Sequence, residues 1–414
     1  MKNIFKLNCY PWIVITFSSL FLFYKYILQV SPSVITHELM RRFHLDGVGM
    51  GNLAATFFYS YLIAQLFVGP LLDKLGSRFL TAFAIFLCAT GAMWFAHANT
   101  FFQAAFARSI IGVGAAFATV SYLKVAAVWF EPKKYALVSG LLATAAMIGS
   151  MCGQLPFALL VIHFGWQASL YGTGLFGIML AALFYFIVRV NPSSYFSEKE
   201  MTPLHFSDVI SVVKSKINWY LMFYSGLAFS PLAVFGGLWG DSFLQTAYHV
   251  SKPDAAMLSS MSFLGLAVGA PLIGYISDCL SNRFSIMVFG LLLSIVALFV
   301  ALYFPTVSRW SEGVSLFLFG FGTGAFMLVF VIGKDINPPM LTATIIAFIN
   351  TGEAIIGTFT EPLLGKLLDI FGHGKMRDGI VYFTSKDYHL ALILLPFYLL
   401  LALVFLLLSR RAIK

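Results

Sequence analysis

The sequence predicts an all-α membrane protein, with twelve transmembrane helices in two pseudo-symmetric six-helix bundles. Three observations carry that reading: the composition, a succession of twelve long apolar runs, and a polar turn that recurs in both halves. Of 414 residues, 60% are hydrophobic and 10% charged, against roughly a quarter charged in a soluble domain. So little charge cannot cover the surface of a soluble protein of this size, which excludes a cytosolic enzyme, a secreted disulfide scaffold and a disordered chain. With 44 Phe and 34 Gly, the chain is also rich in bulky apolar side chains and in the small residues that let membrane helices approach closely.

A helix crosses the hydrocarbon with about 20 apolar residues. Apolar runs broken by charge or by Pro/Gly clusters predict spans near 11–33, 49–72, 79–96, 101–128, 135–162 and 169–189, then near 217–247, 255–277, 284–304, 313–333, 342–367 and 388–408. The division is an amino-terminal bundle over 1–190, a central linker over 191–216 and a carboxy-terminal bundle over 217–414. Within the linker, Phe206, Val209, Ile210 and Val213 recur at helical spacing about a candidate cap at Ser207 and predict a short helix on the cytoplasmic membrane face. Lys2 and Lys6 precede a first apolar run too long for a leader and without a small-residue cleavage site, so it reads as a retained helix.

Placing the amino terminus in the cytoplasm puts 15 Lys and Arg on that side and seven opposite, which orients both termini inward in a cell inner membrane. The net charge of +9 is therefore topological and implies no nucleic-acid partner. Cys9, Cys88, Cys152 and Cys279 lie far apart, with neither metal-ligand nor disulfide spacing. Neither a metal nor a cofactor is expected.

The second turn reads Gly69-Pro-Leu-Leu-Asp73-Lys74-Leu-Gly76-Ser77-Arg78-Phe79. The turn after the eighth span reads Gly274-Tyr-Ile-Ser-Asp278-Cys-Leu-Ser281-Asn-Arg283-Phe284, and Gly, Asp, Arg and Phe recur at one offset of 205 residues. Four matches in register, at equivalent places in two six-span halves, indicate parallel internal repeats.

The first turn resembles the signature loop of the major facilitator superfamily, G-x-x-x-D-R/K-x-G-R/K-R/K, matched by Gly69, Asp73, Lys74, Gly76 and Arg78, with Ser77 where a basic residue is common. Arg108-Ser-Ile-Ile-Gly112-Val-Gly114 in the fourth span is similar to the family's R-x-x-x-G-x-G pattern. The resemblance covers the whole chain and implies two bundles around a cavity that opens alternately to either side. It also implies a gating role for Gly69, Asp73, Gly76, Arg78, Asp278 and Arg283, with each Asp beside its Arg near the membrane surface. Gly149-Ser-Met-Cys-Gly153-Gln-Leu-Pro156 only partly resembles the family's antiporter motif, which disfavours antiport; Gly149 and Gly153 also suit close packing.

Charge within the bilayer costs several kcal/mol unless paired or hydrated, so each such residue is a functional candidate. Lys25 lies halfway along the first span between Tyr24 and Tyr26, one turn before Gln29. It is expected to contact an anionic substrate or a titrating carboxylate, against a structural pair. The segment Ser31-Pro32-Ser33 weakens that helix near its end, where freed backbone groups can meet a ligand. Arg108 cannot discharge and needs a carboxylate, carbonyls or substrate. Lys124, near Tyr122, can snorkel to the surface. On the eleventh span, Glu353 is the candidate protonatable carboxylate: burial favours its neutral form and a facing cation its charged form. Glu361 is expected nearer the rim. Tyr59, Tyr122, Gln154 and Asn350 complete the candidate substrate contacts, and Arg108, Glu353 and Glu361 the candidate proton-coupling set. Tyr61, Gln65, Trp239, Asp241, Ser259 and Ser262 are further lining candidates.

No G-x-x-x-x-G-K-[ST] is present, so an ion gradient, with protons as partner, is the expected energy source. The interior cations favour a small organic anion or zwitterion, and Tyr-x-Tyr followed by Gln-Val-Ser-Pro-Ser is loosely similar to family members that import organic anions. The expectation is a monomeric, proton-coupled uptake transporter. A drug or siderophore exporter, which needs a deep acid in the first half, and an uncoupled facilitator or sensor are the alternatives. The eight His form no H-x-x-x-H pair, and no catalytic cluster marks an enzyme.

Overall fold

The structure is a computed structural model describing residues 9–75, 77–130, 132–188, 206–280, 282–304, 308–338, 341–373, 375–377 and 380–413. The chain begins with α1 (Tyr10–Val30), α2 (Thr36–Phe43), α3 (Gly47–Leu75), α4 (Ser77–His97), α5 (Phe101–Ala115), α6 (Phe117–Trp129), α7 (Pro132–Cys152), α8 (Leu155–Phe164) and α9 (Trp166–Ile187). The second half follows with α10 (Phe206–Lys214), α11 (Lys216–Val234), α12 (Gly240–Tyr248), α13 (Lys252–Leu280), α14 (Arg283–Tyr303), α15 (Arg309–Thr323), α16 (Leu328–Ile336), α17 (Thr342–Gly372), α18 (Ser385–Leu392) and α19 (Leu394–Ile413). Its non-helical pairing is a two-residue antiparallel ladder, β1 (Met376–Arg377) with β2 (Ile380–Val381).

Among the described residues, 11 helical stretches are long and apolar enough to span a membrane, several formed by two consecutive helices. The 31-residue α17 supplies the further long helix on the expected eleventh span. The chain is thus an all-α, multi-pass membrane protein. The expected linker helix is α10, and α11 holds it: Asn218 Nδ2 donates to the Val212 carbonyl (3.0 Å) and Trp219 Nε1 to that of Val213 (2.7 Å). Most of the linker ahead of it lies outside the described residues.

The helices form two compact units. One comprises Met1–Ile35 with Thr56–Lys199, the other Thr36–Ala55 with Glu200–Lys414. In the first, α1 packs on α7 and α4 packs on α5 and α9; in the second, α11 packs on α17 and α14 on α15 and α19. The same pairings therefore recur within each unit.

The recurrence extends to the glycine motif of the fourth span, whose second copy sequence reading missed. Gly112-Val-Gly114 ends α5, and Gly320-Phe-Gly322 ends α15, at an offset of 208 residues. A Cβ on Gly112 would strike the Phe57 carbonyl, and one on Gly320 the Ser262 carbonyl. Only the absence of a side chain lets each helix cross its neighbour at backbone contact. The signal was visible in the sequence, but only the contacts reveal that both copies do the same work. Arg108 has no such counterpart, since the corresponding position is Leu316.

Gly149 and Gly153 are packing positions: added methyls would meet the backbone of Phe23 and, at 3.0 Å, the Ile27 carbonyl of α1. Gly69, by contrast, has nothing within 4 Å of an added Cβ. Overpacking costs about 1–3 kcal/mol, whereas Ala in an open helical position is favoured over Gly by about 1 kcal/mol. G149A is accordingly expected to lower the thermal unfolding midpoint of the detergent-solubilised protein, and G69A to leave it unchanged or raise it.

Candidate functional site

In the first unit the site is built around a break in α1. Pro32 has no N–H, so the Leu28 carbonyl loses its normal i+4 donor and the helix gives way to a single 3₁₀ turn over Ser31–Ser33. Arg108 of α5 supplies a replacement, its Nη1 donating to the Leu28 carbonyl at 3.1 Å, with Ser31 Oγ a second donor at 3.4 Å. Gln154, in the break between α7 and α8, reaches the same turn from the other side: its Nε2 donates to Ser33 Oγ at 2.9 Å. Two of the expected site residues thus converge on the weakened end of α1.

Lys25 lies on the same helix, 5% exposed, and Arg108 is 2% exposed. Each cation rests on aromatic faces. Lys25 Nζ is 3.7 Å from the Tyr26 ring centroid and 5.4 Å from that of Tyr61, while the Arg108 guanidinium carbon is 5.3 Å from Phe57 and 6.0 Å from Phe95. Phe57 and Tyr61, one turn apart on α3, stack with centroids 6.2 Å apart and planes inclined by 19°. Two buried cations therefore bracket one aromatic pair, whose negative π-faces supply part of what water would have given them.

The other expected residues are dispersed. Tyr24 turns into the unit's packing, edge-on to Phe176 with centroids 5.8 Å apart. Tyr122 donates its hydroxyl to the Val138 carbonyl at 2.7 Å, bridging α6 and α7. Tyr59 is 41% exposed, whereas Tyr61 two residues on is buried. Gln29 is half-buried. Lys124 Nζ donates to the Leu72 carbonyl at 2.9 Å.

In the second unit, Glu353 of α17 accepts a hydrogen bond from Ser225 of α11 at 2.8 Å, and Asn350 is half-buried one turn before it. Glu361 is buried, and Thr360 beside it bonds to Ser230 (3.3 Å) and Tyr398 (3.4 Å). Asp241 and Ser259, both buried, bond to each other, the hydroxyl donating. Glu312, buried in the first turn of α15, escaped sequence reading because the apolar run was begun one residue after it. Its place at a helix start, where backbone N–H groups favour an anion, was the available signal.

At the repeated turns, Arg78 donates from Nε to the Tyr185 carbonyl at 2.7 Å, its guanidinium 4.4 Å from the Tyr185 ring centroid. Arg283 forms its ion pair with Asp335 at the end of α16 and not with Asp278, which is exposed. Asn282 caps α14, so Arg283 is the first residue of a new helix, separated from the end of α13 by the cap. Gly76 and the side chain of Asp73 lie outside the described residues. Among the described residues, no group of three or more His, Cys, Asp or Glu could hold a metal ion.

An internally repeated, multi-pass helical fold with buried charges spread among its spans is an architecture shared by membrane transporters. The sequence profile of the Major Facilitator Superfamily matches residues 12–243 and 221–414, and the chain belongs to that family. It is 25% identical over 379 residues to a probable galactarate/D-glucarate transporter of Bacillus subtilis (strain 168), covering 83% of this chain and 82% of that one. It is also 26% identical over 271 residues to a probable L-galactonate transporter of Escherichia coli (strain K12), covering 62% of this chain and 59% of the relative's length. Among solved structures, a bacterial homologue of the human lysosomal transporter Spinster, in an inward-facing and unoccupied conformation, superposes with a TM-score of 0.82 at 18% identity, over 98% of both chains. The nucleoside transporter NupG shares the fold with a TM-score of 0.71 at 14% identity, over 99% of this chain and 100% of that one.

Arg108 makes a charge-assisted bond of a kind worth about 1.5–3 kcal/mol, whereas a surface substitution such as one at Tyr59 stays within about 0.5 kcal/mol. In thermal unfolding, R108A is expected to melt well below the wild type and Y59A to melt with it.

Proposed function

We propose that this chain is a secondary active transporter that takes up a small organic anion of the sugar-acid class across a cytoplasmic membrane, driven by protons. The observation that carries the reading is the pair of buried cations in one unit, Lys25 and Arg108, resting on the two ends of the Phe57–Tyr61 stack. A carboxylate entering beside them would form charge-assisted bonds stronger than the aromatic contacts it replaces, with Arg108 presenting a planar fork and Lys25 a compact point charge. The names of the related transporters point to aldonate and aldarate substrates, dense in hydroxyls that Gln154 and Gln29 could bond.

In this reading the six-span halves 1–190 and 217–414 rock about the linker, both termini are cytoplasmic, the chain acts as a monomer, and Asp73, Arg78, Asp278 and Arg283 belong to the cytoplasmic gate. Glu353 carries the proton. As a carboxylate it accepts from Ser225; once protonated it has one acceptor fewer and one donor more, which changes how α17 holds α11. Glu361 and Arg108 assist the coupling.

Two measurements test this. In thermal-shift assays on the purified protein, D-glucarate, galactarate or L-galactonate should raise the melting temperature and galactose should not; a ligand at 100 times its Kd adds about 2.7 kcal/mol. K25M should lose the shift, and an equal shift in K25M removes Lys25 from the site. In proteoliposomes loaded with none of these anions, an inward proton gradient should accelerate uptake by the wild type, and E353Q should respond little to it. A wild type indifferent to the gradient would be a facilitator.

A further inference from the structure

Helix α3 begins at Gly47, and its first backbone N–H groups have no acceptor within the helix. Asp46 serves two of them locally: Gly49 donates to its Oδ1 at 2.7 Å and Met50 to its carbonyl at 3.0 Å. The other two go to a single carboxylate from the far end of the chain. Gly47 N–H donates to Asp369 Oδ1 and Val48 N–H to Oδ2, both at 2.7 Å. Asp369 stands in the last turn of α17, where its own helix disfavours an anion, so the start of α3 is what accounts for a carboxylate there.

The approach is as close as backbones allow. A Cβ on Gly47 would lie 2.9 Å from Asp369 Oδ1 and would also strike the Gly365 carbonyl, and one on Gly365 would strike the Gly47 carbonyl. Two further contacts flank the joint: Thr36 Oγ1 donates to the Leu238 carbonyl in the π-helical turn Phe235–Trp239 at 3.3 Å, and Glu38 pairs with Lys252 at the start of α13. Together they explain why Thr36–Ala55, from the amino-terminal half of the sequence, packs within the second unit.

We infer that Asp369 is a latch residue of the transport cycle: its two-oxygen grip on the start of α3 fastens that segment to α17, and letting go of it opens the solute pathway at the membrane face opposite the termini. The inference rests on the alternating-access reading above, but neither readout below needs a substrate or a transport assay, so the two can fail separately.

D369N keeps the shape but leaves one carbonyl for two N–H groups and points an amide donor at the second. Hydrogen–deuterium exchange on the full chain in nanodiscs, followed in a peptide covering 45–53, should accelerate on the order of tenfold or more in D369N, with a peptide over 60–70 unchanged. D369E, which restores both acceptors, should recover most of the protection. In a background with the four native cysteines replaced by alanine, A55C should react several-fold faster in D369N with a membrane-impermeant maleimide added on the face opposite the termini. Should D369N not fold, E38Q at the same joint should raise both readouts to a lesser degree. Unchanged exchange and labelling in the folded variant would overturn the latch. So would faster exchange over 45–53 with labelling of A55C unchanged, the mark of a purely structural cap.

Discussion

No backbone polar group can be left bare in hydrocarbon, and the architecture of this chain follows from how its interruptions meet that demand. At two of the breaks a side chain donates to a backbone carbonyl. At the end of α1, Pro32 withholds the donor for Leu28, and Arg108 and Ser31 provide it. At the π-helical turn after α11, Thr36 supplies a donor to Leu238. These substitutions for helical bonds make the breaks tolerable, and they also make the breaks dependent on neighbouring helices. A segment that owes its hydrogen bonds to another element can change shape when that element moves, which an uninterrupted helix cannot do.

The same demand explains the chemistry of the first unit. Arg108 is at once the donor that repairs α1 and one of two cations lying against the aromatic pair of α3. Its charge is therefore neither incidental nor free to leave, and the Leu316 found at the corresponding place in the second half shows that the crossing itself does not require it. The glycine pairs at 112 and 114 and at 320 and 322 build the same helix crossing in each half; only one half puts a cation on it.

Much of this was legible in the sequence. Twelve apolar runs, the recurring turn and the intramembrane charges at Lys25, Arg108 and Glu353 pointed to class, topology and candidates, because hydropathy over about 20 residues and the cost of burying charge are both local properties. What escaped was set by partners distant in the chain. Nothing near Arg283 says that Asp335, 52 positions on, will take its charge in place of Asp278. Nothing near Tyr59 and Tyr61 says that the second is buried and the first exposed, since that depends on the rotation of α3. Glu312 was lost to a boundary placed one residue too late. Nothing near Asp369, just past the predicted end of the eleventh span, says that it will accept from Gly47 and Val48 at the other end of the chain.

Helix α3 belongs to both compact units, residues 47–55 to one and 56–75 to the other. It is 29 residues long, or about 43 Å at 1.5 Å per residue, and it meets close constraints of different kinds along its length: glycine-to-glycine contact at Gly47, then the stacked rings of Phe57 and Tyr61. Those demands fix its rotational phase twice. Adding or removing one residue between them would turn one set of contacts by about 100° relative to the other, so that either the glycine crossing or the aromatic pair would face the wrong way. The stretch between Gly47 and Phe57 is consequently a segment of fixed length, and within it Gly51 is held as closely as Gly47, since a Cβ there would strike the Glu361 carbonyl.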